Sequence, residues 1–168
     1  MVDLLFKIFV VLFFNFGCST TMYNEDGKVI ESPDKHEVII KRLSLGKAYL
    51  SLEKEEDRNL AYVNFKKAYD LDNNFHLTNL YIAYFFEKNN SLASADLYYR
   101  KAFSIDPDHE EGAFRYALFL CNSGKVQDSL KFFGKAKSYI NNNSSYKKEH
   151  DLCVSKYKNL SNIKDVQF

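Results

Sequence analysis

The sequence predicts an all-α fold, a right-handed superhelical solenoid of antiparallel helix pairs. Three observations carry that expectation. Glycine and proline are scarce, with 6 and 2 among 168 residues, which disfavours a chain of many tight β-turns. From His36 onward apolar residues fall at helical spacing. Small and aromatic residues also return at a fixed interval along the chain.

That interval is 34 residues, and three series show it. Ala61, Phe65, Ala68 and Asn73 form the first. Ala95, Tyr99, Ala102 and Pro107 form the second, and Ser129, Phe133, Ala136 and Asn141 the third. The spacing puts each small–aromatic–small set on one helix face. Small residues let two helices approach, and the ring fills the space beside them. A period of 34 with this order resembles the tetratricopeptide repeat.

The first helix of each pair matches the same pattern. Leu45-Gly46 with Tyr49, Ile82-Ala83 with Phe86, and Tyr116-Ala117 with Leu120 stand where that repeat has Leu-Gly and a Tyr. The repeat's early Trp is replaced by Arg42, Asn79 and Ala113. The first unit is longer than the others, and its extra residues are expected in a longer inter-helix turn over 53–59. Asp106-Pro107 predicts a helix stop, because proline cannot continue a helix and constrains the residue before it. Asn122-Ser123-Gly124 predicts a turn. A polar linker is expected over 141–145, then a helix over 146–160 that begins a fourth, incomplete unit.

The N-terminal region differs in kind. Leu4 to Phe14 is apolar except for Lys7, too short a run for the roughly 20 residues a bilayer needs. Small residues follow it. Residues 1–17 therefore predict a signal peptide. Gly17-Cys18 resembles the end of a bacterial lipoprotein signal, which implies lipidation of Cys18; a plain secretory signal is the other reading. Residues 18–35 are polar and predict a flexible tether. The repeat domain is then expected over 36–168, about three and a half units.

Composition excludes several functions. At 46% hydrophobic and 27% charged residues the chain is globular. A net charge of +1 gives no footprint for nucleic acid. No Gly-rich phosphate loop, zinc spacing or nucleophile elbow is present. The expectation is a non-enzymatic protein with no cofactor, no metal and no small-molecule substrate. Glu110-Glu111 has a sufficient reason at a helix start, where negative charge complements the dipole. His76 and His109 read as exposed loop residues.

Two cysteines remain beside Cys18. Cys121 and Cys153 lie about one repeat apart, in the first helices of successive units, which pack side by side. An oxidising compartment would permit a bridge between them. The other reading makes each a small buried apolar residue.

The repeat's groove positions correspond to Leu43, Lys47 and Leu50, then Leu80, Tyr84 and Glu87, then Phe114, Leu118 and Cys121. An apolar row of this kind is either core or a peptide-binding groove.

One segment resembles a narrower family. Phe114-Arg115-Tyr116-Ala117-Leu118-Phe119-Leu120-Cys121-Asn122-Ser123-Gly124-Lys125 is similar to a Phe-Leu-Cys-containing stretch of the type IV pilus biogenesis and stability lipoproteins, the PilW/PilF pilotins. Tyr98-Tyr99-Arg100-Lys101-Ala102 resembles a second motif of that family, which also has a later Cys. The resemblance implies a periplasm-facing outer-membrane lipoprotein that assists assembly and localisation of the secretin, with the secretin subunit as partner. The alternative is another envelope repeat lipoprotein, an adaptor in cell-wall or outer-membrane assembly.

Overall fold

The computed structural model describes residues 22–23, 29–30, 34–52 and 54–161, with side chains over 34–52 and 54–156. Residues 1–17 and Cys18 lie outside the described residues. The chain divides into two units, one up to Pro33 and one from Asp34.

The first unit contains a two-rung antiparallel ladder. Strands β1 (Met22–Tyr23) and β2 (Val29–Ile30) pair Met22 with Ile30 and Tyr23 with Val29. It falls within the segment read from sequence as a tether.

The second unit is helical throughout its described residues. Its helices are α1 (Lys35–Leu50), α2 (Glu55–Leu71), α3 (His76–Lys88), α4 (Leu92–Ile105), α5 (Glu110–Asn122), α6 (Val126–Lys135), α7 (Lys137–Asn141) and α8 (Ser144–Ser161). Helices α1 with α2, α3 with α4, and α5 with α6 pack as the three pairs.

Every member of the small–aromatic–small series is buried. Ala61, Phe65, Ala68, Ala95, Ser129 and Ala136 have no exposed surface, and Tyr99, Phe133 and Ala102 have 1, 3 and 6%. The first-helix small residues meet them. A Cβ on Gly46 would lie 2.3 Å from the Phe65 ring, so only glycine lets α1 and α2 come this close. Ala83 and Ala117, its counterparts, are fully buried. Ser129 stands in an alanine position because its hydroxyl has a partner: it donates to the Val126 carbonyl at 2.6 Å.

Of the residues replacing tryptophan, Ala113 is buried in the core, and Arg42 and Asn79 bind polar atoms. Arg42 Nη1 donates to Asn64 Oδ1 at 3.2 Å. Asn79 Nδ2 donates to the carbonyls of Asn73 and Phe75 at 2.9 and 3.0 Å, tying the α2–α3 loop to α3. That loop is repeated one unit later. The Asp72 carboxylate accepts from the Asn74 amide at 2.9 Å, and that of Asp106 from the Asp108 amide at 3.3 Å. Gly124 ends the α5 turn at φ 79°, a left-handed conformation that glycine adopts without a Cβ penalty.

Two boundary expectations are corrected. The first unit's extra residues do not form a long turn. They extend α2, which has 17 residues against 14 in α4. Glu55, Glu56 and Asp57 occupy its first turn, where negative charge is favourable, so helix is cheaper than loop there. The linker expected over 141–145 shrinks to Asn142 and Asn143, because α7 continues through Asn141 and α8 starts at Ser144. Asn143 Oδ1 accepts from the Ser145 and Tyr146 amides at 2.9 and 3.4 Å, which fixes that start.

Candidate functional site: the first-helix face

In a solenoid of helix pairs, the first helices line an extended inner surface suited to binding. Here that surface belongs to α1, α3 and α5, each in contact with the next. A polar ladder crosses all three. Lys47 Nζ on α1 donates to the Tyr81 hydroxyl on α3 at 2.9 Å, with the ammonium 4.8 Å from that ring's centroid. The Tyr81 hydroxyl donates to Glu111 Oε1 on α5 at 3.4 Å. Glu111 accepts from Arg115 Nε, one turn along, at 2.8 Å. The Arg115 guanidinium lies 5.0 Å over the Tyr84 ring.

Glu111 and Arg115 hold each other charged. Burial alone would raise the Glu111 carboxyl, but the Arg115 hydrogen bond and charge outweigh it and hold the group below its usual range. Burial likewise acts to lower Arg115, and Glu111 reverses the sign and raises it. Glu87 behaves oppositely. Burial pushes its carboxyl up, although the Tyr99 hydroxyl donates to Oε2 at 2.6 Å. Burial and the Glu87 carboxylate in turn raise the Tyr99 phenol.

The groove residues expected from sequence divide. Lys47 is exposed; Tyr84, Glu87 and Leu118 are half-buried. Leu43, Leu50, Leu80 and Phe114 are instead core, with 2, 6, 1 and 2% exposure. That burial corrects the expected groove role of Leu43, Leu80 and Phe114, whereas Leu50, although mostly buried, also borders a cleft with Tyr84 and Lys88. Leu43 and Leu50 pack with Tyr81 and Ile82 of the next unit. Phe114 is covered by the rings of Phe133, Tyr139 and Tyr146. Each first helix has a stripe against its neighbouring first helix, and helical spacing alone does not separate that stripe from the open one. Sequence reading missed Tyr81, Glu111 and Arg115 on this face. The i, i+4 spacing of Glu111 and Arg115 was the available signal.

Cys121 and Cys153 are joined in a disulfide with Cα atoms 6.2 Å apart. Both are buried, with Cys153 the one buried residue of α8 among its described side chains. The bridge fastens α8 to α5.

His76 and His109 are not exposed loop residues, contrary to expectation. Their rings lie 4.6 Å apart, and both are half-buried. His76 Nε2 is 3.6 Å from Asp106 Oδ2. His109 Nδ1 accepts the Gly112 amide at 3.0 Å and so caps α5. The loops between pairs stack in a solenoid, which buries residues at equivalent loop ends against one another. Among the described residues, no group of three His, Cys, Asp or Glu is placed to hold a metal ion, and no helix is long and apolar enough to cross a membrane.

No protein-family model and no curated protein matches this sequence. Among solved structures, the chain is similar to the C-terminal tetratricopeptide-containing domain of a protein described as an FK506-binding protein of Plasmodium falciparum. The TM-score is 0.56 at 21% identity, over 77% of this chain and 96% of that one. A likeness at this identity is one of fold: the chain is an all-α tetratricopeptide-repeat solenoid.

Proposed function

We propose that this protein is a non-enzymatic scaffold that holds a peptide segment of a partner protein along the first-helix face. The ladder from Lys47 through Tyr81 and Glu111 to Arg115 carries the reading. It links the charged groups of α1 and α5 through the Tyr81 hydroxyl of α3 and leaves aromatic and aliphatic surface at Tyr84 and Leu118 for a guest. A guest then meets a preorganised surface and loses little to side-chain ordering. Tyr84→Ala and Leu118→Ala, tested by pull-down from membranes and identification of what is retained, are expected to release the partner. Undiminished capture by the double variant would remove this face from consideration.

The finer reading is a pilotin-like outer-membrane lipoprotein that assists secretin assembly in type IV pilus biogenesis. Its support is the resemblance of the segment from Phe114 to Lys125, together with the signal-like residues ending at Gly17-Cys18. A lipid on Cys18 would anchor the scaffold, since several acyl chains together bind a membrane stably. Mass analysis of the mature N-terminus is expected to find a diacylglyceryl-modified Cys18. Cys18→Ala should leave a soluble protein and misplace the secretin. Normal secretin rings at the outer membrane in that variant would end the anchoring role.

A further inference from the structure

A second surface lies at the other end of the solenoid, between α6–α7 and α8. It is a groove of about 560 Å³ whose floor is Leu130, Phe133, Ile140 and Val154. One wall, α8, is held by the disulfide and by ring contacts of Tyr146 on Phe114 and His150 on Phe133.

The register says what such a groove accommodates. Tyr69 of α2 meets Tyr98 of α4 edge-on at 6.1 Å, and Phe103 of α4 meets Phe132 of α6 edge-on at 4.9 Å. These two contacts are displaced by one repeat. Each joins one second helix to the next. The third member of the series Tyr69, Phe103 is Lys137, which is exposed and lines the groove. The groove is therefore the slot of the next second helix, and no helix fills it among the described residues. Its apolar floor persists, but the aromatic latch has become a cation. Lys147 stands on the opposite wall. Neither ammonium has an acidic partner among the described residues, and Asp151, which also lines the groove, makes its hydrogen bond at 3.0 Å with the His150 ring instead.

We infer that this slot docks an amphipathic helix of a partner protein whose apolar stripe is flanked by acidic residues. The helical shape follows from the two-helix walls, the stripe from the floor, and the acidic flanks from Lys137 and Lys147. The proposal concerns a different surface from the first-helix face and stands or falls separately from it.

The test uses the full chain and two fluorescein-labelled helical peptides. Both carry one leucine stripe; one flanks it with Glu and the other with Lys. In anisotropy titrations the Glu-flanked peptide should bind saturably and weaken with added salt. Lys137→Glu combined with Lys147→Glu should weaken it about tenfold and shift preference to the Lys-flanked peptide. Gly134→Leu places a side chain where a Cβ has open space and should also weaken binding about tenfold by filling the slot. Circular dichroism should show unchanged helicity for all variants, since Gly134, Lys137 and Lys147 are exposed. Equal affinity for the two peptides, no binding of the Glu-flanked one, or indifference to the lysine reversal would overturn the proposal. So would concentration-dependent dimerisation lost in the same variants, which would make a second copy the occupant.

Discussion

Lys47 and Tyr81 lie 34 residues apart, one repeat, and their Nζ–hydroxyl hydrogen bond of 2.9 Å links the first helices of successive units. Equivalence in the repeat thus becomes contact in space. The same bond starts the ladder that ends at Arg115.

Tyr81→Phe should remove the central rung while keeping the ring that Lys47 covers. The expected cost is about 1 kcal/mol, that of one hydrogen-bonded hydroxyl. Lys47→Met should cost less, because Lys47 is exposed and its pairing is screened. Urea denaturation of both variants measures the difference. A cost for Lys47→Met larger than for Tyr81→Phe would show that the ammonium, not the hydroxyl, carries the rung.

Gly46→Ala should destabilise the domain by about 2 kcal/mol, since the new methyl must displace the Phe65 ring from a fully buried site. Combining it with Phe65→Leu should recover part of that loss. Gly134→Ala should act in the opposite direction. Its Cβ meets nothing within 4 Å, and alanine favours the helix by about 1 kcal/mol. Thermal melts of the three variants read both signs.

Reducing the Cys121–Cys153 bridge should cost about 3–4 kcal/mol in the chain-entropy picture. The loss should concentrate in α8, whose remaining contacts come from half-buried rings such as Tyr146 and His150. Hydrogen exchange with and without reductant is expected to show α8 losing protection first. Uniform loss across all helices would mean that α8 and the pairs unfold as one unit.

The histidine pair predicts acid sensitivity. Burial and the neighbouring His109 lower the His76 pKa below its ordinary value of 6.5, against the opposing pull of Asp106. The unfolded chain therefore binds the proton more readily than the folded one. Stability from this group is full above pH 6.5 and falls as pH drops through the lower folded value. His76→Gln should flatten the stability profile in that window. Melting temperatures across mildly acidic buffers provide the check, and an unchanged slope would move the sensitivity elsewhere.

The repeat series was legible in the sequence because burial of small and aromatic residues at fixed spacing is a local requirement of helix pairing. Ala61, Phe65, Ala68 and Ala95, Tyr99, Ala102 satisfy it within a single helix face, and Ser129, Phe133 and Ala136 within α6 and its C-cap. The stops at Asp106-Pro107 and Gly124 were legible for the same reason. What sequence did not reveal lies between units. Whether Leu43 or Lys47 faces outward depends on how far one first helix rotates against the next, and the apolar period is the same either way. The His76–His109 contact and the Lys47–Tyr81 bond also need two units stacked before they exist. The amino-acid sequence by itself determined which residues pair within each unit. Only the tertiary structure decided which polar groups meet across units, because those contacts depend on distances that the one-dimensional period does not contain.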